Sequence, residues 1–227
     1  MTTQRRVKGG RPRLVAVIAS AADLNVAVKM KRLPDLFELR IDSLFPITTS
    51  LEKKISRLRA PLIITARDPA EGGIGNLSAD TRRGLLQRFF VGANYVDVEL
   101  RSACDFTALL ADAKKRKVGR ILSYHDFKST PSSRSLYAKA QQAKSLGADI
   151  FKVATRTDTP AELSRLIGFI TNRSPALPIS AMGIGKLGGI SRLLLARCGS
   201  VLNYASLGQP NAEGQLPIDV LRSALPR

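Results

Sequence analysis

The sequence predicts a single-domain (β/α)8 barrel (TIM barrel), on three observations. Eight short apolar segments alternate with longer amphipathic ones along 227 residues, the rhythm of repeated strand–helix units. In segment after segment one parity is apolar and the other carries charge. No low-complexity linker or composition break interrupts the series, and the length suits the compact end of the barrel size range. A doubly wound open sheet is the main structural alternative.

Taken in order, the strands are expected at Leu14–Ser20, Leu36–Arg40, Leu62–Arg67, Tyr95–Glu99, Arg120–His125, Asp149–Val153, Leu177–Met182 and Val201–Tyr204. Helices fill the gaps. Ala22–Arg32 is the first. Thr48–Arg59 follows, with Thr49 or Ser50 as its cap. Ser78–Val91 starts at a serine. Phe106–Arg116 ends in cations that complement a helix C-terminus. Ser132–Leu146 follows Pro131 and stops at Gly147. Thr159 caps Pro160–Asn172, with proline at the first helical position. Gly189–Arg197 and Pro217–Leu225 complete the set. Residues 1–12 are polar and basic and are expected to be a disordered tail, leaving 13–227 as the catalytic barrel.

Within the strands, Phe37, Leu39 and Ile41 oppose Glu38 and Arg40. Leu62, Ile64 and Ala66 oppose Thr65 and Arg67. Val96 and Val98 oppose Asp97 and Glu99. Leu122 and Tyr124 oppose Ser123 and His125, and Phe151 and Val153 oppose Lys152. Helices between the strands cover the apolar parity, so the charged parity turns into the barrel, where an unpaired charge is costly. A half-solvated antiparallel sheet would show the same alternation, but not the intervening helices. The charges gather toward strand C-terminal ends, where barrel active sites lie.

Composition bounds the class of function. The chain is 44% hydrophobic, and its longest apolar runs, such as Leu14–Ala22, are too short to span a bilayer. The opening residues lack the apolar core of a secretory signal. Two cysteines, Cys104 and Cys198, and one histidine show no zinc or disulfide spacing, so no metal and a cytoplasmic setting are expected. Net charge is +18, spread along the chain. With aromatics at 5% and no RNA- or DNA-binding signature, a solvated basic surface is favoured over a nucleic-acid partner.

Two residues carry chemistry. Lys152 ends the strand DIFK on the inward parity. The plainer reading is a snorkelling lysine, or one ion-paired with Asp97 or Glu99. The alternative is an amine nucleophile: burial and a nearby cation such as Arg40 would free its lone pair to condense with a ketone, and the resulting iminium acidifies the adjacent C–H. His125, the sole histidine, lies one strand earlier at a strand end, and an imidazole takes and gives protons near neutrality. Glu71, in the loop ARDPAEGG, is either a solvated carboxylate or the group that orients this imidazole. Gly183-x-Gly185-x-x-Gly188 fits a dinucleotide fingerprint, but too late in the chain and without the acidic strand end that fingerprint needs.

Together these motifs resemble type I 3-dehydroquinate dehydratase, from about Leu14 to Leu221. FELRIDSL, TARDPAEGG, SYHDF, FKVAT, AMG with GGISR, and AEGQLP occur in the family's order. The resemblance implies a lyase of the shikimate pathway that loses water from 3-dehydroquinate by syn elimination. Lys152 would form the imine, His125 would move the protons, and Glu71 would hold His125. Arg192 would bind the substrate carboxylate, and Glu38, Arg40, Arg67 and Gln215 would complete substrate binding. Asn211 stands where some relatives carry a substrate-binding serine, which an amide could replace. The resemblance implies no cofactor and a homodimer. A class I aldolase is the nearest enzyme alternative, and a basic nucleic-acid-binding protein the alternative from another class.

Overall fold

The computed structural model describes residues 11–172 and 176–225. Most of the expected basic tail, residues 1–10, lies outside that range; Arg11 pairs with Asp35. Eight parallel strands and eight helices alternate: β1 (Arg13–Ile18), α1 (Ala21–Lys29), β2 (Leu36–Arg40), α2 (Thr48–Ile55), β3 (Leu62–Thr65), α3 (Ala79–Arg88), β4 (Tyr95–Glu99), α4 (Thr107–Lys115), β5 (Gly119–Asp126), α5 (Ser133–Ser145), β6 (Ile150–Arg156), α6 (Pro160–Thr171), β7 (Ile179–Ile184), α7 (Gly188–Arg197), β8 (Leu202–Ser206) and α8 (Ile218–Ala224). The strand order is β7-β6-β5-β4-β3-β2-β1-β8. The ring meets at β7 and β8, where Val201 N donates to Ile179 O at 2.9 Å and Ser180 Oγ donates to Leu202 O at 2.7 Å. Side-chain hydroxyls thus complete a seam that ladder bonds leave short.

The two parities separate as alternation requires. Phe37, Leu39, Ile64, Val96, Leu122, Phe151 and Val153 belong to an outer core shared with the helices. Val15, Val17, Leu36, Ile63, Ile121, Ile150, Leu202 and Tyr204 fill the barrel interior. Apolar side chains therefore pack both surfaces of the sheet, and the inward charges sit above an apolar layer.

Local chemistry sets the helix starts. Ser20, Ser78 and Ser132 each accept a backbone N–H with the side chain, and Thr159 forms a reciprocal capping box with Glu162. The expected cap at Thr49 or Ser50 is not used. A short 3-10 turn at Phe45–Ile47 leads straight into α2, whose N-cap is Ile47 with no side-chain bond. Three strands also run two or more residues further than their residues suggest: β6 continues to Arg156, β7 to Ile184 and β8 to Ser206. Lys152 is therefore within β6, not at its end.

Candidate active site

A cavity of about 250 Å³ opens at the C-terminal end of the strands. All nine residues singled out from the sequence line it: Glu38, Arg40, Arg67, Glu71, His125, Lys152, Arg192, Asn211 and Gln215. Val17, Met182, Ile184 and Tyr204 add apolar wall.

β6 places Lys152 level with Ser123 on β5, and His125 pairs with Ala154 one inward step nearer the mouth. The lysine is buried. Its Nζ donates to Glu38 Oε1 at 3.0 Å and Asp97 Oδ2 at 2.9 Å, and lies 4.1 Å from the Tyr204 ring centroid. The plainer reading was therefore correct about pairing with Asp97, but the second partner is Glu38. Glu99 instead serves Arg67 and Arg82. Arg40, the cation expected near Lys152, is itself paired. Asp42 clamps its guanidinium with bonds of 3.0 and 2.7 Å. The neighbours that Nζ does meet are two buried carboxylates.

Arg67 is the hub of this floor. It bonds Asp97 through both terminal nitrogens, Glu99 at 2.8 Å and Ser123 Oγ at 2.6 Å. Arg82, from α3, reaches Glu99 Oε2 at 2.8 Å. Three cations (Lys152, Arg67, Arg82) thus meet three buried carboxylates (Glu38, Asp97, Glu99), which makes their burial tolerable. Arg67 and Lys152 hold the Asp97 carboxyl far below the usual carboxylate range against the opposing effect of burial. Asp97 was legible as inward-facing and as a partner for Lys152, but not as a ligand of Arg67. Arg82 gave no signal, because nothing in the pattern of α3 shows which of its arginines turns inward.

His125 is held by one carboxylate oxygen. Glu71 Oε2 lies 2.9 Å from the His125 backbone nitrogen and 2.9 Å from Nδ1. Asp68 starts the 3-10 turn Pro69–Glu71, and Gly72 closes it at φ 84°, a left-handed conformation suited to glycine, so the turn aims Glu71 inward. Burial, then the charges of Arg67 and Lys152, push the imidazole pKa well below its ordinary value. Burial, then Glu99, raises Glu71 to about 7. With Glu71 ionised, Nδ1–H donates to it and the lone pair rests on Nε2.

Arg192, from α7, is buried without a carboxylate. Nε donates to Gly214 O at 3.2 Å and Nη1 to Tyr204 O at 3.1 Å, and burial alone lowers its pKa to about 10. Among the described residues no carboxylate pairs with it. Gln215 and Asn211 sit on the loop between β8 and α8; Gln215 Oε1 accepts from Asn211 N at 2.7 Å. Among the described residues no cluster of three or more His, Cys, Asp or Glu could hold a metal ion, and no helix is long and apolar enough to cross a membrane.

An eight-stranded parallel barrel with an amine, a carboxylate-backed imidazole and an unneutralised guanidinium around one cavity is the architecture of a barrel enzyme acting on an anionic carbonyl compound. The chain belongs to the type I 3-dehydroquinase family, whose profile matches residues 15–226. It is 35% identical to the 3-dehydroquinate dehydratase of Shouchella clausii over 212 residues, covering 88% of this chain and 82% of that protein. It is 34% identical to that of Methanothermobacter thermautotrophicus over 192 residues, covering 84% of each. The crystal structure of 3-dehydroquinate dehydratase from Geobacillus kaustophilus HTA426 superposes with a TM-score of 0.86 at 29% identity, covering 95% of this chain and 90% of that one.

Proposed function

We propose that this chain dehydrates 3-dehydroquinate to 3-dehydroshikimate through an imine on Lys152. The observation that carries the reading is the opening of Lys152, His125 and Arg192 onto one cavity. Arg192 binds the substrate carboxylate, held in place by its bonds to Gly214 O and Tyr204 O. Lys152 passes a proton to His125 Nε2 and its Nζ attacks the ketone; the imidazole returns that proton to the carbinolamine oxygen, which leaves as water to give the iminium. His125 Nε2 then removes a proton from the carbon beside the iminium. The electron pair passes to nitrogen as an enamine. The same imidazole, now protonated and steadied by Glu71, delivers that proton to the departing ring hydroxyl on the same face. Addition of water to the product iminium restores Lys152.

Glu38 and Asp97 keep the nitrogen's positive charge compensated while it changes from ammonium to iminium. Arg40, Gln215 and Asn211 lie at the mouth, where their polar atoms reach ring hydroxyls. Arg67 acts from beneath, by fixing Asp97. The reading extends to a cytoplasmic homodimer: both cysteines are free, and α7 and α8 expose Ile190, Leu194 and Val220.

The test is ultraviolet absorbance on mixing with 3-dehydroquinate, since the product enone absorbs and the substrate ketone does not, followed by borohydride reduction and peptide mass mapping. A reduced adduct on Lys152 is expected. Turnover without any adduct would overturn the covalent route.

A further inference from the structure

The Gly183–Gly188 turn binds no ligand in the reading above, yet its glycines are tightly constrained. A Cβ on Gly188 would lie 3.0 Å from the Gly214 Cα, and one on Gly214 would lie 2.6 Å from the Gly188 Cα. Backbone therefore rests on backbone here. Gly214 belongs to residues 207–217, the loop that carries Asn211 and Gln215 over the cavity. Its neighbour Glu213 ties the two further: Gly185 N donates to Glu213 O at 3.2 Å, and Arg156 Nη1 donates to Glu213 Oε2 at 2.9 Å. Arg156 lies on the strand that bears Lys152, two inward steps beyond it, and is oriented by Asp158 at 2.6 Å. Asp158 Oδ1 in turn accepts from Lys186 N, within the same turn. Arg192 joins the arrangement through its bond to Gly214 O.

We propose that the turn of residues 183–188 is the seat of a lid formed by residues 207–217, and that the Arg156–Glu213 ion pair latches the lid into it. Arg156 and Glu213 are then positioning residues. They touch no substrate, but they fix the loop that presents Gln215 and the carbonyl that aims Arg192. Gly188 serves close packing of the lid, Gly185 holds the left-handed turn at φ 94° beside Asp158 and Arg156, and Gly183 leaves room for Ser191 and Thr157, which accounts for the spacing without a dinucleotide. The inference rests on reading Gln215 and Arg192 as substrate groups, although the latch itself is independent of substrate.

The pair is half-exposed, at 31% and 55% for the two side chains, so its effect is modest. In Glu213→Ala and Arg156→Gln, amide exchange at Gly185 and Asn211, followed on the full chain without substrate, should quicken by about two- to fivefold. Combining the substitutions should add nothing further, and 0.5 M salt should reproduce the effect in the unsubstituted protein only. In the same variants kcat/KM for 3-dehydroquinate should fall by up to that factor, with Glu213→Asp or Arg156→Lys recovering part of it. Unchanged exchange in both variants overturns the latch. Faster exchange with unchanged kcat/KM overturns the positioning role, and with it the placing of Gln215 and Arg192 at the substrate, while the Lys152 adduct would still stand.

Discussion

One oxygen of Glu71 meets both the backbone N–H and the Nδ1 of His125, each at 2.9 Å. A single carboxylate thus fixes where the imidazole is and which nitrogen carries its proton. The side of the ring left free, Nε2, is the side available for chemistry.

This pairing makes the pH dependence specific. As pH rises through about 7, Glu71 ionises, Nδ1–H gains its acceptor and Nε2 becomes basic. kcat/KM should therefore climb across that range. Glu71→Gln should lose the limb while keeping part of the rate, and His125→Ala should nearly abolish dehydration. Pre-steady-state kinetics with borohydride trapping would show whether His125→Ala still forms imine slowly. A limb near 7 that persists in Glu71→Gln would reject the assignment.

Stability follows from the same group with a definite sign. Its folded pKa is raised from 4.5 to about 7, so between those values the folded state keeps a proton that the unfolded chain has released. That contribution is fully present below pH 4.5 and is lost as pH rises through 7. Glu71→Gln removes the titration. The difference in Tm between Glu71→Gln and the unsubstituted protein should shift in favour of the variant from pH 4.5 to 7 and level off above, read by scanning fluorimetry across pH.

Removing Lys152 should stop turnover and adduct formation, and it should also destabilise the barrel. Glu38 and Asp97 both lose a buried counter-charge, though Asp97 keeps Arg67. Breaking a buried pair from one side costs about 3–5 kcal/mol, and the shared partner puts Lys152→Ala at or below the lower end. Urea denaturation of the variant measures the loss. Turnover retained in Lys152→Ala would remove the covalent mechanism.

Asp97→Asn should cost more at neutral pH than at low pH. The carboxyl is held below its ordinary value, so its stabilisation is present above about 4 and is lost as pH falls further. At pH 7 both Arg67 and Lys152 lose their shared anion, a loss of about 3–5 kcal/mol. Equilibrium unfolding at pH 7 and at about pH 2 would compare the two, and equal costs at both would contradict the charge-based account.

Arg192→Met should behave in the opposite way to Asp97→Asn. Arg192 has no buried acid to strand, so Tm should hold or rise while substrate binding weakens by about 10- to 100-fold, the range of a charge-assisted hydrogen bond. Calorimetric titration with 3-dehydroshikimate reads the affinity directly. Unchanged affinity would free Arg192 from the carboxylate role.

The chain's residues alone determined the barrel and the inward face. Strand alternation is a local property: a residue's parity decides whether it meets a helix or the barrel interior, so Glu38, Arg67, Asp97, Glu99, His125 and Lys152 could be placed before any coordinates. The motif order likewise led to the cavity, because each motif lies on a strand or on the loop or helix that follows one at the C-terminal end of the barrel. The sequence offered Asp97 for Lys152 and Glu71 for His125; the remaining pairings were decided only by the tertiary structure. Glu38 takes Lys152, while Glu99 takes Arg67 and Arg82, because ring closure brings residues from β2, β4 and β6 to one point and the curvature of the ring sets which side chains arrive. The reach of β6 past Lys152, and the seating of Gly214 on Gly188, depend in the same way on β7 and the returning loop lying alongside. The energy of a buried charge depends on distance to its partner, and no periodicity in the chain encodes that distance.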